Sequence, residues 1–64
     1  MKRRDFERLL REHGCVPVRD KGEHTVWQNP SGDVVPVPRH SEIKKYTARE
    51  ICKDLGIDPK RVPN

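Results

Sequence analysis

Aromatic residues are nearly missing from this 64-residue chain, which has one Phe, one Trp and one Tyr. Leu, Ile, Val and Phe together make up about 22% of it, just above the rough 20% level below which chains tend not to fold. So lean a supply predicts that nearly every apolar residue enters one core. No apolar run approaches the ~20 residues of a membrane span, and nothing resembles a signal peptide. The expectation is a cytoplasmic chain with no membrane partner. Only Cys15 and Cys52 carry thiols, too few and too far apart for a disulfide framework or a tetrahedral zinc site. Both read as buried small hydrophobes. The length allows a single domain, 1–64, and excludes the deep, water-excluding cleft of most enzymes.

Charge is plentiful. Fourteen Lys and Arg against ten Asp and Glu leave a formal net charge of +4. A basic surplus of that size fits an anionic partner such as nucleic acid without identifying one.

Phe6, Leu9, Leu10 and His13 recur at helical spacing, and Gly14 supplies a stop, which predicts an amphipathic helix over 3–13. His13 reads there as a partly buried packing residue. From Val16 the period changes to alternation. Three β-branched segments, around 16–19, 24–28 and 34–38, are separated by Gly-bearing turns and read as an antiparallel meander. Pro36 and Pro38 cannot donate to a ladder, so the third strand is an edge or is interrupted. Val35 and Val37 share a face and are its core candidates. Thr47-Ala48-Arg49-Glu50 has capping-box spacing, which predicts a second helix over 48–55, with Gly56 just past its end. Residues 58–64 read as a tail. The fold class expected is α+β in the order α-β-β-β-α, a three-stranded antiparallel sheet with both helices on one face.

The face without helices is where chemistry can stand. His24 follows the Gly22-Glu23 turn, close to Arg19 and Lys21, and an unperturbed imidazole exchanges protons near neutrality. RNA carries its own nucleophile, the ribose 2′-hydroxyl, so an enzyme that cuts it needs a base, an orientation and cations for phosphate. His24 is the candidate base; solvated surface is the plain alternative. His40, after Val37-Pro38-Arg39, is a candidate for binding or orienting a phosphate. Lys21, Arg39, Lys44 and Lys45 are candidate phosphate contacts around the two histidines. Trp27 reads first as a packing residue and second as a base-stacking platform. The spacing of His13, His24 and His40 matches no short metal-ligand motif, so neither a metal nor another cofactor is expected.

Taken together, these segments resemble the HicA toxins, small mRNA-cleaving partners in toxin–antitoxin pairs. The resemblance is carried by the first helix ending at Gly14, by Lys21-Gly22-Glu23-His24 and by Val37-Pro38-Arg39-His40. It continues through Ile43-Lys44-Lys45-Tyr46-Thr47-Ala48-Arg49-Glu50-Ile51 to Leu55-Gly56-Ile57. It implies a fold similar to double-stranded-RNA-binding domains and metal-independent endoribonuclease activity on mRNA. It also implies a HicB-like antitoxin that covers the active site. The family's catalytic histidine falls on His24, and a second family histidine falls on His40. Two positions depart from the pattern: Glu23 stands where Ser commonly precedes the histidine, and Tyr46 where Gly commonly precedes the capping Thr. Two other readings stay open, a non-catalytic RNA-binding module and a protein-interaction domain that has lost activity.

Overall fold

Phe6 and Leu10 lie one helical turn apart, and both are fully buried, while Arg4, Arg8 and Arg11 on the same helix are exposed. This division of faces is what holds α1 (Arg3–Glu12) against the rest of the chain. The structure is a computed structural model and describes residues 1–63. Its elements follow as β1 (Val16–Lys21), β2 (His24–Gln28), β3 (Val34–Pro38), α2 (Lys45–Asp54) and a 3-10 turn at Pro59–Arg61. The strands form one antiparallel sheet in the order β1-β2-β3. The expected α-β-β-β-α order is the order observed.

Both helices end in the same way. After α1, the Gly14 amide donates to the Arg11 carbonyl at 3.0 Å and the Cys15 amide to Leu10 at 3.0 Å. After α2, Gly56 donates to Lys53 at 3.2 Å and Ile57 to Cys52 at 2.8 Å. Each is a Schellman motif, with glycine left-handed at φ +80° and +76° and a buried apolar contact across the turn. His13 completes the first motif, since its Nδ1 lies 3.0 Å from the Leu9 carbonyl, an acceptor the helix end leaves open.

The start of α2 departs from the expectation. Thr47 is not its cap: the helix begins at Lys45, Lys44 is the extended N-cap residue, and no side chain caps the end. The Lys44 carbonyl accepts from the Ala48 amide at 2.9 Å, and Glu50 turns forward to Lys53 at 3.4 Å instead of back to Thr47. The boundary is set by packing. Buried Ile43 is anchored by the hydrogen bond its amide donates to the Met1 carbonyl at 2.8 Å, and no residue from Lys44 to Thr47 resists a helix.

The core takes Phe6 and Leu10 from α1, Trp27, Val35 and Val37 from one sheet face, and Ala48, Ile51 and Cys52 from α2 with Leu55 just past its end. Both helices therefore cover the same face. Cys15 joins them, so both thiols are buried as expected. Trp27 is 1% exposed, with the Arg11 guanidinium 5.2 Å from its ring centroid. It is a packing residue, sealed away from any base. Past α2, the Asp58 carboxylate accepts from the Lys60 amide at 3.0 Å and starts the 3-10 turn, which delivers Val62 into the core. Part of the segment read as a tail is thus packed structure.

Not every apolar residue is used in this way. Val16, Val18 and Val34 stay 49%, 45% and 57% exposed. Val16 and Val34 both pair with Gln28, on the face opposite Trp27. Val18 is the residue skipped where the β1–β2 register shifts between Pro17 and Arg19. Both prolines of β3 sit where they cost least. The Arg39 amide donates to the Glu23 carbonyl at 3.0 Å and the Asn29 amide to Asp33 at 2.9 Å. The alternation between these bonds turns Val35 and Val37 toward β2, while Pro36 and Pro38 face the free edge. β3 is an unbroken edge strand without donors at those two positions.

Candidate active site

His24 is the first residue of β2. It pairs with Lys21 across the two-residue Gly22-Glu23 turn and with Pro38 on β3. Paired residues share a face, and Trp27 fixes which face belongs to the core. His24, with Val26 and Gln28, therefore stands on the side that carries no helix. His24 and Lys21 are both exposed, and the imidazole has no hydrogen bond or ion pair among the described residues. The ring is available to a substrate, with an ammonium on the neighbouring strand.

His40 lies two residues beyond Pro38 and lines a recess of about 280 Å³ with Pro38, Glu42, Ile43, Lys44 and Thr47. Pro38 is the shared wall: it is the cross-strand neighbour of His24 and part of the recess that holds His40. The structure thus brings together Lys21 with His24, and His40 with Lys44. Lys45, one residue further on, is exposed and lies outside the recess lining. A larger concavity of about 350 Å³ at the start of α1 is lined by Lys2, Arg3, Arg4, Glu7 and Ser41 and includes neither histidine.

Arg39 is placed differently from the other candidates. Its guanidinium donates to the Gly22 carbonyl and pairs with the Asp20 carboxylate at 3.1 Å. Asp20 also accepts from the Thr25 hydroxyl at 3.1 Å. Behind Arg39, the Arg3 guanidinium donates to the Arg39 carbonyl, and the Arg3 amide donates to Ser41 at 3.0 Å. Asp20 and Arg3 were not singled out from the sequence. Asp20 was reachable through strand alternation; Arg3, one charge among many in α1, had no local signal.

The basic surplus is not gathered around His24. From Val16 to Pro38 the chain carries two basic residues, Arg19 and Lys21, against three acidic ones, Asp20, Glu23 and Asp33, so the positive excess resides in the helices and the segments flanking them. Among the described residues no three His, Cys, Asp or Glu side chains form a group able to hold a metal ion. Nor is any helix among them long and apolar enough to cross a membrane.

The family model of the HicA toxin of bacterial toxin–antitoxin systems matches residues 3–57, from the first residue of α1 to the end of the second Schellman motif. The chain belongs to the HicA toxin family. No curated protein and no solved structure gives a significant match. HicA toxins are known as mRNA interferases, and membership implies an antitoxin partner. The matched span contains His24, His40, Lys21, Lys44 and Lys45.

Proposed function

We propose that this HicA chain is an endoribonuclease toxin that cleaves mRNA without a metal, with His24 as its acid–base residue and a HicB-like antitoxin as its inhibitor. The observation that carries the reading is the exposed, unpartnered His24 imidazole beside Lys21 on the uncovered face of the sheet. In the proposed reaction His24 removes the proton of a ribose 2′-hydroxyl. The 2′-oxygen attacks the adjacent phosphorus, and the bond to the 5′-oxygen breaks. That oxygen takes a proton from solvent water and His24 releases the one it took up back to solvent, so the products are a 2′,3′-cyclic phosphate and a 5′-hydroxyl. Lys21 offsets charge gathering on the phosphoryl oxygens, and His40, Lys44 and Lys45 hold neighbouring phosphates.

RNA incubated with wild type and His24→Ala under excess chelator tests this reading. Cleavage by wild type, cyclic phosphate ends and loss of at least a hundredfold in His24→Ala are expected, within the range for removing an acid–base residue. Undiminished cleavage by the variant removes His24 from the mechanism. A non-catalytic RNA-binding module is the second reading, favoured by the concentration of positive charge away from His24. It predicts salt-sensitive RNA binding with no cleavage by wild type.

A further inference from the structure

Arg39 follows Pro38 and precedes a loop, and its sequence context alone makes it a candidate phosphate contact. Its position in the fold argues otherwise. Val37 faces the core, Pro38 faces the open side with His24, and Arg39 returns to the helix side, where Asp20 and Thr25 also stand. There a single residue holds both carbonyls of the turn. Its amide takes that of Glu23 at 3.0 Å, and its guanidinium takes that of Gly22. The same guanidinium pairs with Asp20, one residue before Lys21, and Arg3 ties the Arg39 carbonyl to α1.

We infer that Arg39 is a positioning residue that clamps the Lys21–His24 turn to α1 and so fixes how His24 and Lys21 leave the sheet. The inference rests on the acid–base reading of His24. The clamp orients more than it stabilises. Asp20 and the Arg39 side chain are 70% and 39% exposed, and exposed pairs of this kind add little to stability. What it restrains is a two-residue turn whose members, Gly22 and Glu23, are both exposed. Geometry matters more than energy here, because displacing a reacting group by about an ångström costs up to roughly a hundredfold in rate. The planar fork of Arg spans a carboxylate and a carbonyl together, whereas the point charge of Lys does not.

The test uses Arg39→Lys and Asp20→Asn, with cleavage kinetics for each beside wild type and His24→Ala, and amide hydrogen exchange across Lys21–Thr25. Expected for both variants are a kcat lowered about tenfold or more, a KM within about twofold, little change in Tm, and faster exchange in the turn. A phosphate-binding Arg39 gives the opposite pattern. Arg39→Lys then keeps its activity, and Asp20→Asn, by releasing the guanidinium, tightens RNA binding and lowers KM. Either result overturns the inference, as does unchanged exchange in both variants. Absence of cleavage by wild type, or equal cleavage by His24→Ala, overturns the acid–base reading, and the exchange data still decide the clamp.

Discussion

The side-chain amide of Asn29 donates to the carbonyl of Leu55 across 2.9 Å, joining the β2–β3 turn to the end of α2. Leu55 is the C-cap residue, and its carbonyl is one of those a helix end leaves without an intrahelical partner. Asn29 is the one buried polar residue among those described, and its remaining capacity is used locally. Its Nδ2 reaches the Asp33 carboxylate at 3.1 Å, and its Oδ1 accepts from the Asp33 amide at 2.8 Å. Asn29→Ala strips all three bonds and leaves a shielded carbonyl unpaired, which should cost about 2 kcal/mol in urea unfolding. Asn29→Asp keeps the shape but sets a carboxylate oxygen against two acceptors, and it should do no better than Ala.

Thr47 gives a prediction in the other direction. A true Thr N-cap replaced by Ala costs ~1 kcal/mol. Here Thr47 is the third residue of α2 and lines the His40 recess, and its hydroxyl closes no helix end. Thr47→Ala should lower stability by less than about 0.5 kcal/mol in the same assay, the range for substitutions without such a role. A loss near 1 kcal/mol would restore the capping box.

These two residues mark where the sequence is legible and where it is not. Period and punctuation carried the elements: the Phe6–Leu10 stripe, alternation through β2 and the glycines after both helices each point to what forms. The prolines of β3 point to an edge or an interrupted strand, because a missing donor is a local property, and the fold takes the first of the two. A helix boundary is not local. Thr47 to Glu50 satisfies a capping pattern, yet Ile43 and its bond to Met1 set the start of α2 one turn earlier. The shift of register at Val18 had no glycine to announce it. For the site, the pairing of His24 with Lys21 follows from a two-residue turn. The side taken by Arg39 was implied by the phase of Val35 and Val37, while its partners Asp20 and Arg3 came together only through the tertiary fold.

The thiols give a pH dependence with a defined sign. Burial raises the Cys15 pKa, and burial together with the nearby Cys15 pushes the Cys52 thiol up to about 11 from 9.0. Both are neutral in the folded chain at pH 7. The folded protein resists ionisation that the unfolded chain accepts, so this stability is fully present below pH ~9 and is lost as pH rises through the folded values. Urea midpoints should hold as pH approaches 9 and then fall toward 11, with a slope of up to ~1.4 kcal/mol per pH unit for one thiol. Cys52→Ala should flatten that fall. A fall that survives the substitution of both cysteines would assign it to other groups.

Gly14 and Gly56 close the two helices with the same motif, so comparing them separates backbone strain from crowding. At each, a side chain must adopt positive φ, which costs roughly 1 kcal/mol for Ala. Around Gly56 an added Cβ meets nothing within 4 Å, and Gly56→Ala should cost about that amount. At Gly14 the added Cβ lies 2.9 Å from Pro30 Cγ, a contact that forces the helix end and the β2–β3 turn apart. Gly14→Ala should therefore be the more destabilising by a further ~1–3 kcal/mol, the range for overpacking. Adding Pro30→Ala should recover part of that difference and leave Gly56→Ala unaffected. Equal losses at the two glycines would mean that the backbone conformation alone, and not the approach of Pro30, fixes Gly14.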